Sequence, residues 1–515
     1  MRMGICSPDD GGSQALGKTK EMDTIDFVKE LKKAENIYDV LVIFYGIVDN
    51  EHSPQYLQNY DHISEDRSWK DINRLLDSLL QNDIEFRMFL GRIVEFLDCE
   101  TNIILYALHI ITYFDQVFLE KEEYAYLGFG NRIGLSPLYE LGPLNTMQDK
   151  YLLYLSPVDS LLKESKAMKS SGYRLISFRD GSDILERIKS YYIVPVSGCI
   201  PRAVIKGYTK DVFCKREGSG KTIKMACIPL CKKNWFHVKY MDNDSGHNYF
   251  KIVNDPDQTK LNNNYIRLFE HLIEEKAEIV VLPELSMNEQ TEREIRKYLS
   301  LKSLQMKAFP LKLIFLGSLW KDGRNECVLL SGSGSVLCRN LKRNPFELKK
   351  DGKRYKEALA ERPTQYELLD VPHLGRILYS ICKDAFDEMS QVAFHTAYAV
   401  DFEVISSFSA SLSYFDGQMR DLAEKHLGVG IVANACSPRV GLGEKEIGFI
   451  EIPYMRKKSP FRLEGMKIVY QTDDCCEEAC TFAGCMHIFD LKPDEILADG
   501  EKCGITVDYT RRILK

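Results

Sequence analysis

The sequence predicts an α/β protein: a mainly helical N-terminal region followed by a layered sandwich of strands and helices. Two observations carry that expectation. Between residues 72 and 96, apolar side chains recur at helical spacing. Ile72, Leu75, Leu76, Leu79 and Leu80 follow i, i+3, i+4, i+7, i+8, and Phe89, Ile93 and Phe96 continue the stripe. After Lys224, short apolar runs alternate with amphipathic helical stretches around one hairpin, which favours a layered sandwich over a purely parallel sheet. The 515 residues correspond to about three domains, or two larger ones, at roughly 150 residues each.

The elements follow in order. Residues 1–23 are polar and Gly-rich and read as a flexible lead-in. Residues 24–215 form the mainly α-helical N-terminal region. Within it, helices are expected to about 120, a loop rich in Gly, Tyr and Pro over 121–142, and short helices mixed with β-like runs such as 191–196 over 150–215. Residues 216–223 read as a linker. The strand-rich domain spans 224–492. It opens with a strand at 225–230, a helix at 264–276, a strand at 277–282, a helix at 289–300 and a strand at 311–317. A hairpin follows, 326–330 and 335–339 around Ser331-Gly332-Ser333-Gly334. Then come a strand at 376–381, a helix from 386 to 399, and a β-α-β unit over 402–408, 416–426 and 429–433. Residues 493–515 remain as a C-terminal tail.

Composition narrows the function classes. A net charge of −7 does not suit a general nucleic-acid binder, although a local basic patch is compatible with it. Hydrophobic residues at 44% and charged residues at 28% exclude bulk disorder. Fifteen scattered cysteines in a long chain argue against a disulfide scaffold and for a reducing compartment. The first fourteen residues hold no apolar core of signal-peptide length. The longest apolar stretch, 103–114, contains His109 and falls short of the roughly 18 residues a spanning helix needs. A cytoplasmic protein without a membrane partner is expected.

Three segments imitate functional motifs. Gly218-Ser219-Gly220-Lys221-Thr222 resembles the end of a phosphate loop, but Lys215 stands where the first glycine belongs, and the segment precedes a strand instead of following one. Cys475, Cys476, Cys480, Cys485 and His487 could supply zinc ligands, yet they lack the paired spacing of structural zinc sites, so a loop with reduced thiols is the simpler reading. Residues 339–356 hold Arg339, Lys342, Arg343, Lys349, Lys350, Lys353, Arg354 and Lys356 against Glu347 and Asp351. Such a run reads first as a solvated loop, and second as a patch for an anionic substrate or nucleic acid.

The chemistry concentrates in three short segments. An apolar strand, 279–282, ends in Pro283-Glu284 and delivers a carboxylate. The second strand of the hairpin ends in Lys342. The strand at 376–381 ends in Cys382-Lys383-Asp384 and turns toward a helix, where a nucleophile is exposed and following N–H groups can stabilise an oxyanion. A carboxylate, an ammonium and a thiol at the strand ends of one sheet system suit acyl transfer. Glu284 would take the thiol proton, and Lys342 would lower the thiol pKa and stabilise developing charge.

With these motifs the chain resembles the nitrilase, or carbon–nitrogen hydrolase, superfamily over about residues 224–491. Gly317-Ser318, Asn325, Gly334, Gly375-Arg376 and Ala433-Asn434 fall in the order of the family pattern. The resemblance implies an α-β-β-α sandwich, assembly into dimers or larger homo-oligomers, and hydrolysis of a small amide, nitrile or carbamyl compound without metal or organic cofactor. It assigns Cys382 as nucleophile, Glu284 as base and Lys342 as the stabilising cation. Many members carry a second glutamate between lysine and cysteine; Glu357 is its best candidate here, ahead of Glu361 and Glu347. Lys383 beside the nucleophile departs from the family and would favour the thiolate or a carboxylate-bearing substrate. Arg343-Asn344-Pro345 and Ile228-Pro229-Leu230 are further departures.

A second expectation is a nitrilase-like interaction or ligand-sensing module. Family analogy supplies a setting for it, as companion of a reverse transcriptase in bacterial antiphage defence, with a protein or nucleic-acid partner met by the N-terminal region or by residues 339–356.

Overall fold

The computed structural model describes residues 24–50, 67–81, 84–98, 103–120, 138–141, 151–155, 191–195, 202–208, 212–213 and most of 222–513. In that last span the described stretches are 222–230, 236–242, 248–254, 258–360, 363, 365–386, 394–395, 398, 400–426, 428–436, 445–456, 463–471, 485–493 and 502–513. The expected lead-in, most of the linker and its phosphate-loop lookalike, Cys475, Cys476, Cys480, Glu361 and most of the expected helix at 386–399 lie outside the described residues. The chain forms two compact units, Met1–Gln116 with Asn145–Tyr151, and Val117–Leu144 with Leu152–Lys515.

The helices of the N-terminal region are α1 (Thr24–Lys33), α2 (Ile37–Asn50), α3 (Arg67–Leu80), α4 (Phe86–Asp98) and α5 (Ile103–Glu120). Phe27 of α1 meets Phe44 of α2 with ring centroids 5.6 Å apart. Asn36 caps α2: its Oδ1 accepts the Asp39 N–H, and Asp39 Oδ2 accepts the Glu35 N–H, both at 3.0 Å. His109 on α5 reaches Asn73 on α3 at 2.7 Å, and burial pulls its pKa down to about 4. The apolar stretch 103–114 is therefore a core helix. Among the described residues, no helix is long and apolar enough to cross a membrane.

The strands run β1 (Leu138–Leu141), β2 (Tyr151–Leu155), β3 (Tyr191–Pro195), β4 (Arg202–Tyr208), β5 (Ile223–Cys227), β6 (Phe236–Met241), β7 (Asn248–Asn254), β8 (Ile279–Val281), β9 (Leu313–Lys321), β10 (Arg324–Ser331) and β11 (Val336–Leu341). They continue as β12 (Glu347–Lys350), β13 (Lys353–Glu357), β14 (Gln365–Val371), β15 (Gly375–Ile381), β16 (Phe402–Ser407), β17 (Val429–Asn434), β18 (Glu446–Arg456), β19 (Leu463–Gln471), β20 (Cys485–Pro493) and β21 (Lys502–Ile513). Three helices join them: α6 (Gln258–Glu274), α7 (Glu289–Gln305) and α8 (Ser413–His426).

The large sheet is one continuous path, β1-β4-β14-β15-β16-β17-β18-β21-β20-β5-β8-β9-β10-β11, with β19 beside β18. β21 pairs with both β18 and β20 and joins its two halves. The halves lie face to face. Met225, Ile279, Leu313, Phe315 and Leu329 from one share a core with Ile377, Tyr379 and Val404 from the other, and the Phe315 and Tyr379 rings meet edge-on at 5.0 Å. The alternate residues Ala226, Val280, Ile314 and Val328 face outward onto Leu268 and Phe269 of α6 and Ile295 and Leu299 of α7. This period-two division buries both faces of β5, β8 and β9, so their sequences read as unbroken apolar runs. Phe415 and Met419 of α8 complete the opposite layer. The layers run helix, sheet, sheet, helix.

Four differences from the sequence reading stand out. Region 138–208 contributes strands: β1 pairs with β4, and β4 runs parallel to β14 over six residue pairs. Its short strands are too brief to carry a period. The expected tail holds β21, which matches nine residues of β20. β14 and β18 to β20 are strands that the sequence reading did not separate. The basic run is not a loop: it ends β11 and forms the β12–β13 hairpin, which joins β7 and β6 in a four-stranded sheet.

Candidate active site

The end of β8, the end of β11 and the end of β15 bring their side chains together. Beyond β8, Leu285 adopts a left-handed backbone (φ 57°) and turns the chain so that Glu284 is buried. The neighbouring strand must approach this turn closely. At Gly317 (φ 76°), an added Cβ would lie 2.0 Å from Ser286 Oγ and 2.2 Å from the Pro283 carbonyl oxygen, so glycine is required. The Tyr379 hydroxyl braces the same point, accepting the Gly317 N–H at 2.8 Å.

Lys342 Nζ lies 2.7 Å from Glu284 Oε1 and 2.9 Å from Glu357 Oε2, with all three side chains buried. Asn325 on β10 binds both acids: its Nδ2 donates to Glu284 Oε1 at 3.0 Å and to Glu357 Oε1 at 3.2 Å. Backbone donors complete each carboxylate. The Phe408 N–H reaches Glu284 Oε2 at 3.1 Å, and the Phe346 N–H reaches Glu357 Oε2 at 2.9 Å. Burial works against the Lys342 ammonium, but the charges of Glu284 and Glu357 outweigh it and hold the pKa well above that of an ordinary lysine.

Cys382 follows β15 and opens a short 3₁₀ turn, Cys382–Phe386. Its φ of 43° lies in the left-handed region, an uncommon conformation for a side chain other than glycine. Ser407 Oγ donates to its sulfur at 3.6 Å. Burial pushes the thiol up to about 12, Glu284 adds to the rise, and Lys342 opposes it. The expectation that Lys342 lowers the thiol pKa is thus met in direction and overridden in sum. The resting site holds a neutral thiol beside an ammonium clasped by two carboxylates.

Asp384 fixes the segment after Lys342. Its carboxylate accepts the Arg343 N–H at 2.9 Å and the Asn344 N–H at 2.7 Å, and burial raises its pKa to about 7. Lys383 is not directed at the thiol: its Nζ donates to the Pro345 carbonyl at 3.1 Å and anchors the same segment. The expectation that Lys383 tunes the thiolate or the substrate is replaced by this tether. Glu347 is exposed on β12, away from the cluster. Cys485 and His487 do meet, at 3.3 Å, inside the sheet, and His487 continues to Tyr509. Among the described residues, no group of three or more candidate metal ligands is gathered.

Sequence reasoning placed Glu284, Lys342, Cys382 and Glu357 as site residues and noted Asn325 and Asp384 only as pattern matches. It missed Phe346, Ser407, Phe408 and Tyr379. Phe346 and Phe408 act through backbone N–H groups, for which side-chain identity gives no signal.

No protein-family profile matches the chain, and no curated protein is similar to it in sequence. Solved structures do resemble it at low identity. Nit3 of Saccharomyces cerevisiae, a member of branch 10 of the nitrilase superfamily, is 12% identical over 48% of this chain and 90% of its own, with a TM-score of 0.32. An amidase from Nesterenkonia sp. is 12% identical over 50% of this chain and 92% of its own, TM-score 0.32. The C. elegans NitFhit protein is 15% identical over 49% of this chain and 61% of its own, TM-score 0.31.

Proposed function

We propose that this chain is a carbon–nitrogen hydrolase that cleaves a small amide, nitrile or carbamyl compound through a covalent intermediate on Cys382. The observation that carries the reading is the Lys342 ammonium held between Glu284 and Glu357 beside the Cys382 thiol. Burying three charges carries a desolvation cost that an apolar core avoids, and a strained cysteine backbone adds to it. A reaction centre explains both.

With an amide, Glu284 takes the thiol proton as Cys382 Sγ bonds to the carbonyl carbon. Lys342 stabilises the oxyanion, and Glu357 and Asn325 keep its ammonium in place. The C–N bond breaks, the amine leaves with the proton from Glu284, and a thioester remains. Glu284 then deprotonates the water that releases the acid and restores the thiol. A nitrile adds the thiol across its triple bond to give a thioimidate instead. Because the resting thiol sits near 12, proton transfer and attack are coupled, and Glu284 is needed for the first step.

The test is a panel of short amides and nitriles, read by ammonia release and intact mass. Adducts confined to Cys382, absent in Cys382→Ala and strongly reduced in Glu284→Gln, support the reading. No adduct and no ammonia across the panel would sink it. A second reading, a ligand-sensing module with a silent site, draws on the burial of Cys382 at 2% exposure. Ligand binding without turnover in the same panel selects it.

A further inference from the structure

The four-stranded sheet carries a surface that the hydrolase reading does not use. Its inner face is apolar: Phe236, Val238, Phe250, Ile252 and Tyr355 pack over Leu285 and Phe346. Its outer face is basic. On β6 and β7, Lys239 stands directly opposite Lys251. On β12 and β13, Lys349 stands directly opposite Arg354. Lys356 neighbours Tyr249 in the parallel β13–β7 pairing. Like charges directly opposite on neighbouring strands are destabilising, and this face holds two such pairs in a chain whose net charge is −7.

All five cations are exposed, and among the described residues none has an ion-pair partner. Glu347, opposite Lys356, is the acid of this face within the described strands. Tyr249 lies at the centre with 37% of its surface exposed. Where β13 ends at Glu357, the face of β7 opens into a groove of about 670 Å³ lined by Tyr249, Lys251, Val253, Trp320 and Leu359, and by one acid, Asp322. Strands about 4.8 Å apart and same-face residues about 7 Å apart place the cations around one aromatic ring within a patch roughly 15 Å across.

We propose that this outer face binds single-stranded nucleic acid, with phosphates held by Lys239, Lys251, Lys349, Arg354 and Lys356 and a base stacked on Tyr249. Cations around a central exposed aromatic fit a strand that presents phosphates and unpaired bases alternately. An acidic polypeptide would use the cations and leave the ring without a role.

The experiment is fluorescence anisotropy of a labelled 20-nucleotide oligo-dT and oligo-rU with the full chain at 50 and 200 mM KCl. Five phosphate contacts on a single strand give a log–log salt slope of about −3.5, so affinity should fall about 130-fold over that range. The variants Lys239→Gln/Lys251→Gln and Arg354→Gln/Lys356→Gln should each remove about two-fifths of the slope, with unchanged melting by circular dichroism. Tyr249→Ala should weaken binding about fivefold or more at unchanged slope. Two pairwise variants guard against misfolding of a combined one. The proposal is overturned by no binding at 50 mM KCl, by full affinity in Tyr249→Ala, or by polyglutamate competing as well as the oligonucleotide. That last result assigns the face to an acidic protein.

Discussion

Asn325 ties the two carboxylates of the candidate site together, and it does so with a single nitrogen. Its Nδ2 serves Glu284 and Glu357, while its Oδ1 has no hydrogen-bond partner among the described residues. Replacing it with Asp sets a third negative charge against two others and should lower kcat about 100-fold or more, comparable to losing one oxyanion donor. Asn325→Ala should cost less, because it removes the donor without adding charge. Steady-state ammonia release with both variants checks that order. A second residue makes a pH prediction. Glu451 is buried with neither oxygen hydrogen-bonded among the described residues, and burial raises its pKa to about 7 against the pull of Arg420 and Lys467. Its folded pKa lies above the ordinary carboxyl value. The native state therefore retains a proton that the unfolded chain loses, and stability falls as pH rises from about 4.5 to 7. Glu451→Gln removes that slope. Its Tm should gain on the wild type between pH 5 and pH 7 and level off above that, and an unchanging difference over pH 5–7 would show that the group does not titrate there.

Among elements, the contact between β9 and the turn after β8 has the least room for change. Gly317→Ala forces a Cβ onto the Pro283 carbonyl and Ser286 in a left-handed conformation, at a cost of about 2–4 kcal/mol. Because the same turn carries Glu284, thermal unfolding and activity should fall together, whereas Gly352→Ala, in an open hairpin turn with nothing within 4 Å, should lower stability modestly and leave activity unchanged. This contrast also explains what could be read in advance. β8, β9 and β15 are buried on both faces and announce themselves as apolar runs, and β8 and β15 lead directly to Glu284 and Cys382. β12 and β13 bear alternating exposed cations and masquerade as a charged loop, since Leu348 and Tyr355 are the only apolar residues of the two strands and the buried Glu357 is itself charged. β4 and β21 are stabilised by partners distant in sequence, β14 for one and β20 for the other. Nothing local marks such pairing. Glu357 was legible as a candidate by spacing alone, but its binding partners come from β10, β11 and the segment before β12.

At the scale of the whole molecule, the boundary suggested by composition near residue 220 cuts through a sheet. A fragment starting at residue 222 retains β5 to β21 and the candidate site, but it loses β1 and β4. β14 then becomes an edge strand, with residues 365–370 stripped of their parallel partner. Tyr366 and Leu368 also lose Ile205, Tyr154 and Val194, which share their core. An apolar edge of this kind pairs with other chains. A fragment starting at residue 136 keeps β1 to β4 and the whole sheet path. The two fragments should therefore differ sharply: residues 136–515 should elute as a discrete species with cooperative thermal unfolding, and residues 222–515 should aggregate or unfold at lower temperature. Size-exclusion chromatography with light scattering on both fragments decides the matter. Equal behaviour would mean that β4 adds little to the sheet, and the strands of 138–208 would belong functionally with the helices that precede them. A clear difference would make those strands part of the candidate site's scaffold, because β14 is the neighbour of β15, and Cys382 follows the end of β15.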